Sequence, residues 1–83
     1  MLARFIDTAM EMAQYEIIKD DGSYWREIPG FQGVWANHKT LLGCQRELRE
    51  AVSDWIGLRL RLKLEIPVLA DIDLNRLADA VHA

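Results

Sequence analysis

The chain has one cysteine, two prolines, two histidines and no apolar run of membrane length. Each of these absences excludes something. A single thiol, Cys44, cannot close an intramolecular disulfide, so the fold must hold by packing alone. No apolar stretch approaches the ~20 residues that a membrane helix requires. The opening Met1-Leu2-Ala3-Arg4-Phe5-Ile6-Asp7 meets an acid before an apolar run develops, so a secretory leader is not expected and the cytoplasm is the expected compartment. A Gly-rich phosphate loop, a nucleophile elbow and His or Cys clusters at ligand spacing are all missing, and His38 and His82 stand apart from one another. No cofactor, metal or catalytic function is expected; the chain reads as a binding protein.

What is present is ordinary for a globular chain, with 51% hydrophobic and 28% charged residues in 83. One domain spanning residues 1–83 is expected. A chain of this length buries only about 60% of its unfolded surface, so a partner or self-association is expected to support it. The net charge of −3 argues against a nucleic-acid binder and suits a basic partner.

The most informative stretch is Asp20 to Thr40, DDGSYWREIPGFQGVWANHKT. Asp21-Gly22 marks a hairpin turn, because Gly accepts the positive φ that such turns need. Tyr15 to Lys19 is β-prone before it. After it, Tyr24, Arg26 and Ile28 point one way and Trp25 and Glu27 the other. Pro29-Gly30 stops that strand. Val34, Ala36 and His38 then alternate with Trp35 and Asn37 until Thr40, a favourable N-cap, opens a helix. If Trp25 and Trp35 share a face they make a large aromatic patch beside Glu27 and Asn37; packed under the helix, they are core instead.

The flanks add two helices. Residues 2–13 carry Leu2, Phe5, Ile6, Ala9, Met10, Met12 and Ala13 at spacings of three and four, which predicts an amphipathic helix. It either covers a sheet face or supplies an oligomer contact through Phe5 and Met12. From Leu41 the apolar face is Leu41, Cys44, Leu48, Ala51, Val52 and Trp55. Cys44 on that face reads as a small hydrophobe. Gly43 stands where a capping box would place Glu. Leu58 to Leu64 alternates with period two, which alone predicts a strand; continued as a helix, it puts Arg59 on the stripe and leaves Leu60 and Leu64 on the opposite side, where they are candidates for self-association. Glu65 to Leu69 reads as a short edge strand, and 70–83 as an acidic tail. Glu65 to Ala83 holds four acids against Arg76, while Leu41 to Leu64 holds five bases against three acids. Arg59, Arg61 and Lys63 are too few, in an acidic chain, to signal nucleic acid.

The hairpin, the E-I-P-G corner, the third strand and the long helix resemble the HicB family. The matching residues are Asp21, Gly22, Tyr24, Glu27, Ile28, Pro29, Gly30, Gly33, Thr40, Ala51, Trp55, Ile66 and Pro67, within residues 13 to 74. The resemblance implies a partial RNase H fold and an antitoxin that covers a small basic RNase, the HicA toxin. It favours helix to Leu62, and it makes the helix at 2–13 an addition. An RNase H likeness invites a search for metal carboxylates, but Asp20 and Asp21 fall in a turn, Glu27 on a strand and Glu47 and Glu50 on the wet face of the helix. HicB antitoxins often carry a C-terminal DNA-binding domain; this chain ends soon after the matched stretch, so that domain is not expected.

The expected architecture is therefore α+β. A three- to four-stranded antiparallel sheet packs against one long helix in the order β-β-β-α-β over 14–69, with an extra helix at the N-terminal side. Asp20, Asp21, Trp25, Glu27 and Trp35 are the expected partner contacts. Phe5, Met12, Leu60 and Leu64 are the expected contacts of a homo-oligomer, the alternative to a toxin-binding role.

Overall fold

Apolar residues at every fourth position of the long helix set the architecture. In the computed structural model, which describes residues 2–69 and 71–75, the order is α1 (Leu2–Glu11), β1 (Gln14–Ile17), β2 (Tyr24–Glu27), β3 (Trp35–His38) and α2 (Leu41–Leu62). The strands form an antiparallel meander in the order β1-β2-β3. Cys44, Leu48, Val52 and Ile56 of α2 are buried and meet Ile28, Val34 and Ala36 from the sheet side. Each four-residue step advances about 40° around a helix of 3.6 residues per turn, so the stripe winds from the sheet at Cys44 toward Leu60. The expected stripe ran instead through Trp55 to Arg59. Leu60 in fact continues the series, half-buried against the core.

The corner between β2 and β3 explains the spacing of its residues. Phe31 N–H donates to Ile28 O and Val34 N–H to Phe31 O, both at 3.1 Å. Gly30 and Gly33, third in each turn, have φ of 84° and 83°, as two successive type II turns require. Ile28, Phe31 and Val34 are thereby all turned into the core. Phe31 also bridges the helices, with its ring centroid 6.1 Å from Phe5 and 4.8 Å from Trp55. The hairpin between β1 and β2 is wider than the expected two-residue turn. Ile18 N–H donates to Ser23 O, which leaves Lys19 to Gly22 as a four-residue loop with Gly22 at φ 70°.

Both ends of α2 have specific caps. Thr40 accepts the Gly43 N–H at 3.0 Å, and His38 Nδ1 accepts the Thr40 N–H at 3.1 Å. His38 thus does what the third-position Glu of a capping box does, and its ring fills the space a Gly43 side chain would need. At the other end Lys63 adopts a left-handed conformation. Its N–H bonds to Leu60 O and the Leu64 N–H to Arg59 O, a Schellman closure. The period-two leucines at 58 to 64 are therefore helical up to Leu62.

Two expectations are corrected beyond the helix. Among the described residues there is no fourth strand: both backbone polar groups of Ile66 pair with the side-chain amide of Asn75, at 3.0 and 2.8 Å, instead of with a sheet edge. Leu69 and Ile72 close a tight bridge, and Ile66, Leu69, Ile72 and Leu74 enter the core. The N-terminal helix stops at Glu11, short of the expected residue 13, and packs on α2 with an Asp7–Arg49 ion pair at 2.8 Å, its Phe5, Ile6 and Ala9 joining the core. The helical spacing of Leu74, Leu77, Ala78 and Val81 falls largely on residues 76–83, outside the described residues. No helix among the described residues is long and apolar enough to cross a membrane.

Gly43→Ala removes a glycine from the first turn of α2, a change worth up to about 1 kcal/mol where nothing opposes it. Here the new methyl must displace His38 and its bond to Thr40. We expect denaturant titrations to show that the gain from Gly43→Ala is about 1 kcal/mol larger in a His38→Ala background than in the parent. Equal gains in both backgrounds would contradict the capping role of His38.

Candidate functional site: the uncovered face of the sheet

Because α1 and α2 lie together on one side, the other face of the sheet is bare. Strand alternation assigns that face: Gln14 and Glu16 of β1, Trp25 and Glu27 of β2, Trp35 and Asn37 of β3. Glu27 stands opposite both Gln14 and Trp35, and Trp25 opposite both Glu16 and Asn37, which places the two tryptophans on a diagonal. Their rings stack with centroids 4.6 Å apart and planes 8° from parallel. Trp35 is 51% exposed. Asn37 donates to Ser23 Oγ and Tyr24 O, both at 2.9 Å, which ties β3 to the hairpin end of β2. The face therefore offers a rigid aromatic slab flanked by Glu16 and Glu27, with no basic side chain from the three strands.

At one end of this face the hairpin loop exposes Asp20 and Asp21. Asp21 Oδ1 accepts the Ser23 N–H at 2.9 Å, and the Ser23 hydroxyl and amide hold the Asp21 carboxyl below its ordinary value. Asp21 is thus presented as a charge in a fixed orientation, beside the exposed Asp20.

The structure brings together Trp25, Glu27 and Trp35 as the patterning implies and puts Asp20 and Asp21 at the tip. Glu16 belongs to the same face, although the sequence reading did not single it out. The signal was available in the alternation of β1, where Glu16 has the opposite parity to Tyr15 and Ile17. The four residues expected at a self-contact separate. Phe5 is fully buried in the chain's own core, so it is not a surface contact; Leu60 is half-buried against that core; Met12 and Leu64 are exposed. Among the other α2 leucines, Leu58 and Leu62 are exposed as well.

Among the described residues no group of three or more His, Cys, Asp or Glu is arranged to hold a metal ion. Arg59, one of the three bases near the end of α2, is held within the chain. Its Nε donates to Glu65 O at 2.9 Å and its guanidinium lies 4.5 Å from the Trp55 ring centroid, beside a cleft of roughly 480 Å³. Cys44 is fully buried, its Sγ 3.5 Å from the carbonyl oxygens of Tyr24 and Ala36. Burial pushes its thiol up from the ordinary value, against a smaller pull downward from Arg26. A thiol whose folded value is raised contributes full stability below the unfolded value and loses it as the pH rises past that point, so Cys44 favours the fold at neutral pH. We expect native Cys44 to react with a thiol reagent on the order of 100-fold more slowly than in denaturant. Equal rates would place Cys44 at the surface.

The comparisons agree with this architecture. A crystal structure of TTHA0281 from Thermus thermophilus superimposes with a TM-score of 0.79 at 38% sequence identity, covering 87% of this chain and 89% of that one. No curated protein matches. Residues 4–67 match the UPF0150-like family, which takes in all three strands, α2 and most of α1. With most of its length matched and a solved relative at this identity, the chain belongs to the UPF0150-like family, which includes HicB-like antitoxin-type proteins.

Proposed function

We propose that this protein is a non-catalytic binding module that acts in the cytoplasm as a HicB-like antitoxin, covering the RNA-binding surface of a small basic RNase. The observation that carries the reading is the uncovered sheet face, where the Trp25–Trp35 stack is flanked by Glu16 and Glu27 and bounded by Asp20 and Asp21. Stacked tryptophans supply a large contact area that is already ordered before binding, so little side-chain entropy is lost on association. Acids around an aromatic centre speed encounter with a basic partner and reject acidic ones. Such a toxin must be positively charged where it grips messenger RNA, and the same charge makes it complementary to this face.

A second reading is favoured by a separate observation. Leu58, Leu62 and Leu64 are exposed near the end of α2, and all four residues of the edge strand β1 are exposed. A homo-oligomer without a toxin partner would cover these surfaces and leave the Trp face free.

The two readings separate in one experiment. The tagged full chain is used to recover proteins from host lysate, and any small basic RNase held in fixed ratio is purified and titrated against variants by calorimetry. On the antitoxin reading Trp35→Ala and Glu27→Lys each weaken the complex at least tenfold, about 1.4 kcal/mol, and release RNA cleavage, while Arg61→Glu on the helix end has little effect. Unchanged affinity in both face variants sinks the antitoxin reading. Recovery of this chain alone, as an oligomer dissociated by Leu62→Glu, favours the second.

A further inference from the structure

The covered side of the sheet holds a charged group that the packing does not explain. β2 turns Arg26 toward α2, where it is only 9% exposed. Its guanidinium sits 5.3 Å from the Tyr15 ring centroid, and its Nε–H has no hydrogen-bond acceptor. Stacking on an aromatic ring stabilises the cation but satisfies no N–H, and a buried donor without an acceptor is costly enough to be rare.

Arg26 lines a groove of roughly 370 Å³ together with Met10, Glu11, Leu42, Gln45, Arg46 and Arg49. Of its three arginines, Arg49 is paired with Asp7 and Arg26 is unsatisfied at Nε. Arg46 makes no ion pair with another described residue. Glu11 is the one acid in the lining, and Cys44 behind Arg26 is a neutral thiol. A chain of net charge −3 thus has a locally positive, partly desolvated groove on the side away from the tryptophan face. Its wall is also apolar: Met10 is half-buried beside it and Leu42 is 58% exposed.

We propose that this groove binds a small organic carboxylate, with the acid group against Arg26 and Arg46 and a short apolar body against Met10 and Leu42. A planar carboxylate matches the fork of the Arg26 guanidinium where that residue lines the groove, and Arg46 adds a second charged donor; the buried Arg26 Nε–H behind them reports the binding. The groove volume falls within the range of small-ligand sites, and its apolar wall would contribute nothing to an inorganic anion. The site is independent of the toxin-binding reading, because its residues lie on the opposite side of the sheet.

Hexanoate is the probe. The isotope-labelled full chain is titrated at constant ionic strength while the Arg26 Nε–H and the Leu42 methyl signals are followed by NMR. The proposal expects saturable shifts at both sites with a midpoint on the order of 1 mM or tighter, while the Arg61 Nε–H stays unmoved. Hexanol, which keeps the apolar body without the charge, should produce no saturable shift. Arg46→Gln changes an exposed side chain without an ion-pair partner, so the fold is retained, and it should weaken hexanoate at least fivefold. Overturning results are shifts that do not saturate, equal shifts at Arg61, or affinity unchanged in Arg46→Gln. So is a groove already filled by a second copy, seen as concentration-dependent association that protects the Arg26 Nε–H before any hexanoate is added.

Discussion

The fold depends on one contact, the laying of the α2 stripe Cys44-Leu48-Val52-Ile56 across a single face of a three-stranded sheet. A sheet this small cannot be buried on both sides by the helices available, since α1 is drawn to α2 through Phe5, Phe31 and the Asp7–Arg49 pair. Every other feature adjusts to that one-sided packing. The double turn at Pro29 to Gly33 aims Ile28, Phe31 and Val34 at the stripe, and the C-terminal segment closes its far end with Ile66 and Leu74. Burying a row of side chains this size contributes roughly 1.5–3 kcal/mol each, which is why so short a chain can hold together without a disulfide.

The same constraint creates the two surfaces that bear on function. The face turned from α2 keeps Trp35 in the open over a half-buried Trp25 and collects Glu16 and Glu27 beside them. The face turned toward α2 is covered along β2 and β3 but not along β1, whose Tyr15 and Ile17 stay exposed. Arg26 is caught at that boundary, buried by the helix on one side and open to the groove on the other. Opposite charges therefore mark opposite sides of the sheet.

Much of this was legible in the chain because the signals were local. Alternation placed Trp25 with Glu27 and Trp35 with Asn37, and Thr40 marked the start of α2. Where the reading failed, the deciding interaction was distant in sequence. Asn75 satisfies the backbone of Ile66, so Glu65 to Leu69 needs no sheet edge, and no local pattern reports that. The stripe was followed through Trp55 to Arg59 because Trp55 is large and apolar, whereas the helix chose Ile56 and Leu60, and Trp55 is spent on Phe31 and Arg59. The apolar stripe left Phe5 open between core and oligomer contact, and Phe31, delivered by the glycine turns, decides for core. Gly43 read as a weak helix start because the ring that substitutes for the missing Glu comes from the preceding strand.

One-sided packing is tested most directly by a soluble paramagnetic probe that broadens the NMR signals of whatever solvent can reach. At low protein concentration the Trp35 indole should broaden strongly, while the methyl groups of Leu48, Val52 and Ile56 stay sharp. A protected Trp35 beside broadened Leu48 and Val52 would mean that the sheet buries the opposite face and that the surface assigned here to a partner is core.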